Sequence, residues 1–262
     1  MQLKRRVSLN SVQLDEIDNR ILITGVDEAA GKETISAVSV NGRPGQRITN
    51  MHRDTLDVTV KFAMMIRNDD MAGRSELLEK VNAWANRVGY LRLNYRPGRR
   101  LQVLLAQAPG EGDLFNWSNE FTIVFRAYRV PYWEDEDLTT AVSGTAKSGS
   151  FPIDVPGNTE TVAGFKVENM SGQPIATVNL KIGESEMTFT QDSMIPANSY
   201  LLIDHPGDSY GLFYIRARVG SSSKLRYRTG ANDFYVSPGA NTVTFSASRA
   251  VRVTADVRGR YL

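Results

Sequence analysis

The two histidines are the first residues to consider for catalysis or metal binding, and they lie far apart in the chain, at positions 52 and 205. A hydrolytic triad needs a histidine beside a nucleophile, but the sequence has no Gly-x-Ser-x-Gly turn to present a serine. The chain also has no cysteine, which excludes thiolate nucleophiles, thiolate metal ligands and disulfides. We therefore expect His52 and His205 to be polar surface or turn residues.

Other catalytic and cofactor motifs are missing as well. The sequence has no Walker loop, no Gly-x-Gly-x-x-Gly and no His-Glu-x-x-His. A carboxylate pair for glycoside hydrolysis stays open, because any two of the 29 acidic residues could meet in space. No such pair stands out, so we expect a protein that is not an enzyme and that binds no cofactor and no metal.

An unbroken acidic run, Glu134-Asp135-Glu136-Asp137, is a second feature with chemical potential. Carboxylates are suitable ligands for calcium, but consecutive positions rarely converge on one ion, and the Asp-x-Asp-x-Asp-Gly loop pattern is missing. Residues rich in Thr, Ser, Gly and Ala follow the run. This composition predicts a solvated linker over residues 133–149 between two domains, residues 1–132 and 150–262.

Three arginines, Arg96, Arg99 and Arg100, lie close together around Pro97-Gly98. Pro-Gly is typical of a tight turn, so these side chains are expected at the tip of a β-hairpin. Such a cluster could bind phosphate or the acidic rim of a partner, or it could simply be solvated. The formal net charge of +2 does not indicate a nucleic-acid-binding protein. We therefore treat the three arginines as candidates for an oligomer or partner interface.

The elements that carry this hairpin lie in residues 55–107. Apolar residues occupy every second position from Leu56 to Ile66, which predicts a half-buried strand. The period then changes to that of a helix, predicted over about residues 70–88, with an apolar stripe of Leu77, Val81, Trp84 and Val88. Gly89 is placed just beyond the helix end, where a left-handed conformation favours glycine. Alternating residues 90–95 and 101–105 form the two hairpin strands.

Further strands are predicted on both sides of this lone helix. They comprise residues 21–23 before a turn at Thr24-Gly25, a short strand with Ile35, Val38 and Val40 before the turn over residues 41–45, and residues 120–130. This arrangement predicts a β-barrel or curved sheet with one α-helix. From residue 150 onwards, short strands alternate with turn signals and no helical period occurs, which predicts an antiparallel β-sandwich. The fold class is therefore mainly β.

The order of these elements resembles the distal tail protein of long-tailed bacteriophages over essentially the whole chain. The residues that carry the resemblance in the first half are Gly42-Arg43-Pro44-Gly45, residues 53–62, the helix ending in Trp84, and Tyr95-Arg96-Pro97-Gly98-Arg99. In the second half they are residues 164–169, Leu201-Leu202-Ile203-Asp204, and residues 234–243. The second half then corresponds to a galectin-like C-terminal domain.

The resemblance implies a structural virion protein with no reaction. In that family the N-terminal domains form a hexameric ring that joins the tail tube protein to the tail-tip protein, and the C-terminal domains often dock receptor-binding proteins. It also implies synthesis in the host cytoplasm, a final position at the distal end of the tail, and DNA that passes through the ring without specific binding. No window of about twenty apolar residues occurs, so we expect no membrane insertion.

Sugar binding is the alternative that the galectin-like domain suggests. Galectins stack a tryptophan on the sugar and surround it with His, Asn and Arg donors. Here Trp84, Trp117 and Trp133 all precede residue 134, and His205 alone does not supply the missing donors. A host-adhesion module is therefore the second hypothesis, which binding of residues 134–262 to a glycan array would test.

Overall fold

A computed structural model of the chain describes residues 6–29, 33–39, 41, 44–67, 69–110, 120–206 and 214–262. The chain divides into two compact units, Met1–Trp133 with Leu262, and Glu134–Tyr261. Strands dominate both units, so the predicted mainly-β fold class is confirmed. Neither of the α-helices among the described residues has the length and apolar character needed to cross a membrane.

The first unit contributes seven strands to one sheet, and a helix packs on them. The strand order is β2-β1-β7-β8-β9-β6-β3, and β4 and β5 form a separate two-stranded sheet. The bounds are β1 (Val7–Leu9), β2 (Val12–Gln13), α1 (Leu14–Ile17), β3 (Ile21–Glu28), β4 (Glu33–Ser39), β5 (Gln46–Arg53), β6 (Leu56–Met64), α2 (Met71–Ala85), β7 (Gly89–Leu93), β8 (Arg99–Gln107) and β9 (Glu120–Ala127).

Strand β6 lies between β3 and β9 and has the alternation expected from its sequence. The apolar side chains at every second position from Leu56 to Met64 are all buried. Phe62 stacks against Phe121 of β9 with ring centroids 5.5 Å apart. The core of the first unit is therefore built on the face of β6 that the sequence predicted.

Helix α2 covers this core, but it is shorter than predicted. Asp70 caps its first turn by accepting a hydrogen bond from the Gly73 amide at 2.9 Å. Trp84 packs edge-on against Phe125 at 5.7 Å and donates from Nε1 to the Val12 carbonyl at 3.0 Å. The helix ends at Ala85, so Val88 lies outside it and is exposed, not part of the stripe.

Gly89 has a different role from the helix-terminal one predicted. It opens strand β7 and is not among the residues with positive φ. The amide group of Asn10 lies against its Cα, where a Cβ would clash. Asn10 accepts there from the Tyr90 amide at 3.0 Å and donates to the Val88 carbonyl at 3.2 Å. Close approach of a long-range side chain therefore requires this glycine.

One more prediction for the first unit is wrong, and one short element was not predicted. Thr24-Gly25 does not end a strand, because β3 continues to Glu28 with an irregular register between Ile23 and Gly25. Helix α1 was not predicted, since a single turn with one buried residue, Leu14, shows no helical period. Val40 of the predicted strand, and Gly42 and Arg43 of the predicted turn over residues 41–45, lie outside the described residues.

The second unit is an antiparallel β-structure arranged around one long strand. Its strands are β10 (Trp133–Asp135, beginning on the last residue of the first unit), β11 (Thr139–Val142), β12 (Ala146–Val155), β13 (Thr161–Asn169), β14 (Ile175–Ile182), β15 (Ser185–Ile195), β16 (Tyr200–Asp204), β17 (Arg216–Val219), β18 (Ser222–Ser223), β19 (Arg228–Gly230), β20 (Tyr235–Val236), β21 (Gly239–Val257) and β22 (Arg260–Tyr261).

Strand β21 joins the two halves of this unit. Its first part pairs with β12 and β14, and its second part pairs with β13 and β11. Val243, Phe245, Val251 and Val253 all point into the core. The sequence predicted two strands here, because residues 246–250 carry no large apolar side chain to continue the alternation.

The linker predicted over residues 133–149 is wrong, since β10, β11 and the start of β12 occupy it. Thr139 to Val142 pair with β21, and their main-chain hydrogen bonds need no apolar side chains, so the composition resembled a linker. Leu225 to Tyr227 form a single 3-10 turn instead of the predicted strand. Of the strand predicted over residues 212–215, the first two residues lie outside the described residues.

Candidate functional site

The tip of the β7–β8 hairpin is the site that the sequence singled out. Strands β7 and β8 pair antiparallel from Gly89↔Val103 to Leu91↔Leu101, so the predicted hairpin is present. Gly98 has φ +71°, the left-handed conformation that its tight turn requires. Tyr95, Arg96, Pro97 and Arg99 line an open cleft of about 320 Å³ at this tip.

Glu28, at the end of β3, binds one side of the tip. Its carboxylate accepts from Arg96 Nε at 3.0 Å and from the Tyr95 hydroxyl at 2.9 Å. The second oxygen accepts from Trp133 Nε1 at 2.8 Å and pairs with the Arg96 guanidinium at 3.0 Å. Arg96 also lies over the Trp133 ring, 5.1 Å from its centroid. Arg96 is therefore held by its own unit.

The three arginines do not converge on one point. Arg100 stacks over the Tyr90 ring at 4.0 Å, on the strand side of the turn, whereas Arg96 is directed towards Glu28. Arg99 lines the cleft together with Arg96. This geometry does not form a cradle in which all three guanidinium groups contact one phosphate.

Charged side chains on the outer face of β3, β6 and β9 form pairs of opposite charge. Arg126 pairs with Asp57 at 2.6 Å, and Lys61 pairs with Asp27 at 2.7 Å. Hydrogen bonds that Arg126 and Lys61 donate to these carboxylates raise the pKa of both cations. Because each cation has an anion beside it, this face is not a basic surface of the kind that binds nucleic acid.

Asp18 is the strongly perturbed carboxyl group of the first unit. It accepts from Arg20 Nε at 2.8 Å and from Arg20 Nη2 at 2.7 Å, and Lys80 Nζ approaches to 3.4 Å. The hydrogen bonds from Arg20, chiefly from its side chain, hold the pKa of the Asp18 carboxyl well below its usual range. The group stays ionised and links β3 to α2, which is a structural role.

The acidic run over residues 134–137 is engaged by arginines near the end of the chain. Arg258 donates to the main-chain carbonyls of Asp135 and Glu136, and Arg260 Nε lies 3.3 Å from Glu134. No group of three or more metal-ligating side chains occurs among the residues that the structure describes. The acidic run therefore holds the segment that carries Arg258 and Arg260, which is a structural role.

His205 does not present its ring to solvent. His205 Nε2 lies 2.7 Å from Asp233, which also accepts from the Phe234 amide at 2.7 Å, and both side chains are nearly buried. His52 lies in β5, and its side chain is outside what the structure describes. The buried pair at His205 is also unavailable to a sugar, so it does not supply the donor that a galectin-type site needs.

The exposed hairpin β4–β5 is a surface that the sequence analysis did not identify. Ile35 is 53% exposed and Ile48 is 59% exposed, although both lie in paired strands, whose register shifts between Ser36 and Ala37. The sequence did predict a strand here, from the positions of Ile35 and Val38. Its exposure could not be predicted, since alternation does not indicate whether a core lies behind the strand.

The comparisons with known proteins agree with the sequence resemblance at the level of fold. No protein-family model and no curated protein match the sequence. Among solved structures, the chain is similar to Dit (gp 19.1) of phage SPP1, described as a paradigm of hub adsorption apparatus in phages that infect Gram-positive bacteria. The match has a TM-score of 0.70 and 12% identity over 98% of this chain and 99% of that one.

Two structures of the phage p2 baseplate in its activated conformation also match along the chain. The structure with Sr has a TM-score of 0.46 and 9% identity, covering 97% of each chain. The structure with Ca has a TM-score of 0.45 and 7% identity, covering 98% of each chain. The fold that the sequence resemblance predicted is thus confirmed by the similarity to SPP1 Dit.

Proposed function

We propose that this chain is a structural protein of a phage tail, a distal tail protein that acts as a hub at the tail end. The observation that carries the proposal is the similarity of fold to SPP1 Dit along 98% of the chain. A match of both units in one chain is more specific than a match of either β-unit alone, because isolated β-folds serve many functions.

The first unit is proposed to form a ring of six copies. A closed ring with cyclic symmetry needs two different surfaces on each copy, one meeting the other on the neighbour. The run of seven strands that the first unit contributes ends in two different edges, the short β2 and the eight-residue β3. An exposed edge offers unpaired main-chain groups to a neighbouring chain. The sheet edges therefore supply candidate ring surfaces.

The hairpin tip at Arg99 and Arg100 is proposed as a partner contact of the same ring. Because Arg96 is already held by Glu28 and Trp133, we assign Arg96 the role of fixing the tip and not of binding the partner. The tail tube protein and the tail-tip protein are the partners that the proposal requires. Receptor-binding proteins are the proposed partners of the second unit.

The channel of the ring would let DNA pass without binding it specifically. The paired charges on β3, β6 and β9 and the formal net charge of +2 support this part of the proposal. We also propose that the protein catalyses no reaction. Incubation with host cell wall should give no loss of turbidity, and clearing that persists after repurification would overturn this statement.

Light scattering across a range of concentrations, with negative-stain electron microscopy, tests the ring. A closed ring has a mass of roughly 175 kDa, six times 29.1 kDa, and should show six-fold class averages with a central hole. A stable dimer or trimer would contradict the six-membered ring, because such closed assemblies use the surfaces that the ring requires.

A further inference from the structure

The segment that follows β17 in the second unit bridges two strands that do not pair with each other. It contains β18 and the 3-10 turn Leu225–Tyr227. The Lys224 amide donates to the Ala217 carbonyl of β17 at 2.8 Å. The Lys224 side chain donates from Nζ to Gln191 Oε1 of β15, also at 2.8 Å. Strands β17 and β15 lie near opposite ends of the strand order, so Lys224 connects the two sides of the sheet.

Lys224 is a buried cation whose partners in the structure are neutral. The residue is only 9% exposed. A lysine ammonium has three N–H groups, and the Gln191 oxygen accepts from one of them. The Tyr227 ring centroid lies 5.7 Å from Nζ. Among the described residues, no carboxylate lies within ion-pair distance of Nζ. A buried charge without a counter-charge is unfavourable, so an anion bound here would stabilise Lys224.

Arg226 places a second positive charge beside the same ring. Its guanidinium carbon lies 4.7 Å from the Tyr227 ring centroid, and Nη2 donates to the Tyr227 hydroxyl at 2.5 Å. In the part of the chain that the structure describes, Arg226 has no carboxylate partner either. Arg228 comes next in the chain and donates to two oxygens of Asn232, which is uncharged. Two cations with neutral partners therefore lie beside one tyrosine.

Other half-buried cations of this unit have a neutralising carboxylate. Lys166 pairs with Glu168 at 2.7 Å, and Arg216 pairs with Asp204 at 2.6 Å. The segment described above belongs to a stretch, residues 209–232, that has five basic residues and no acidic one. The segment therefore supplies no such carboxylate from its own sequence.

We propose that Lys224 and Arg226, beside the Tyr227 ring, bind a phosphate group, either as inorganic phosphate or as a phosphate monoester. A phosphate monoester carries a charge of about −1.5 to −2 at pH 7 and three strong acceptor oxygens. That charge matches the two cations, whereas a carboxylate has one negative charge and two oxygens. The arginine fork and the lysine point charge are both common donors to phosphate. This binding site goes beyond the proposed tail role, which does not require it.

Isothermal titration calorimetry of the full chain tests the site. Inorganic phosphate and glycerol 3-phosphate are the two ligands, at pH 7 and at a constant ionic strength set with chloride. We expect one saturable site per chain. Arg226→Gln should weaken binding by about tenfold or more, because a charge-assisted hydrogen bond is lost. The matched control Lys181→Gln removes one charge from an exposed lysine of β14 and should leave binding unchanged.

Lys224→Gln should weaken binding at least as much as Arg226→Gln. Because Lys224 is buried and connects two strands, circular dichroism should first show that this variant is folded. Arg226 is exposed, so its variant tests the site even if Lys224→Gln unfolds.

The two ligands distinguish the sources of the phosphate group. Tighter binding of glycerol 3-phosphate assigns the site to a phosphate ester, and equal or weaker binding assigns it to free phosphate; both results support the proposal. Acetate that binds as tightly as phosphate would overturn it in favour of an acidic protein segment. The proposal is also overturned if the wild-type chain shows no saturable binding, or if Arg226→Gln binds as tightly as Lys181→Gln. None of these results changes the proposed tail role, because that role rests on other residues.

Discussion

Removal of the Glu28 carboxylate should destabilise the first unit far more than removal of the carboxylate next to it in the same strand. In the variant Glu28→Ala, Trp133 Nε1 loses its acceptor, and the Trp133 side chain is only 1% exposed. An unsatisfied buried donor costs about 1–3 kcal/mol. Arg96 loses its ion pair but retains about a quarter of its exposure to water, which limits that loss to about 1 kcal/mol. The expected total is about 3 kcal/mol.

Asp27→Ala is the matched control, because Asp27 pairs with Lys61 at an exposed position of the same strand. Such exposed pairs contribute little to stability, because water screens the two charges. Glu28→Gln should lie between the two, since its amide oxygen still accepts from Trp133 although the charge is lost.

Urea unfolding followed by tryptophan fluorescence is the appropriate assay. All three tryptophans belong to residues 1–133, so the signal reports the first unit and not the second. With a urea dependence of roughly 1.5 kcal/mol per M, the Glu28→Ala midpoint should fall by roughly 2 M, and the Asp27→Ala midpoint should fall by much less. If Glu28→Ala shifts the midpoint no further than Asp27→Ala, Glu28 does not anchor the hairpin tip as we describe.

Three further predictions concern other parts of the chain. The lowered pKa of Asp18, caused chiefly by the Arg20 side chain, means that its contribution to stability is present above about pH 4 and is lost as the pH falls below that value. Asp18→Asn should therefore lower the fluorescence-detected urea midpoint at pH 7 and reduce its dependence on acid. Phe234 is fully buried and packs edge-on against a second phenylalanine at 4.6 Å, so Phe234→Ala should cost the second unit about 3–5 kcal/mol in urea unfolding followed by circular dichroism. Gly89→Ala should lower the free energy of unfolding by about 2 kcal/mol, measured by tryptophan fluorescence, because the added Cβ meets the amide of Asn10. Gly98→Ala serves as a comparison, since its added Cβ meets no atom and the strain comes from positive φ alone.

Strands with a core behind one face were the most predictable elements. The alternation in β6 and β9 marked the buried side chains correctly, because burial on one face imposes a period of two on the sequence. The body of α2 was predictable for the same reason at the helical period. Its end was not, because Val88 continued the stripe by chance and the interaction of Gly89 with Asn10 involves residues far apart in sequence.

Features held by main-chain pairing or by long-range side chains could not be predicted. Strand β11 has no apolar pattern, since its stability comes from pairing with β21. The position of the three arginines around a hairpin turn could be predicted, because they are close together in sequence. Their partners Glu28, Tyr90 and Trp133 come from other elements or from further along the chain, so the division of roles among the arginines required the structure.

Gold labelling of phage particles tests the central claim most directly. An antibody against this chain, applied to intact particles of the phage that encodes it, should place gold at the distal end of the tail, with one cluster on each particle. Gold along the tail shaft or on the capsid would contradict the account, as would unlabelled particles that contain none of the chain by mass spectrometry.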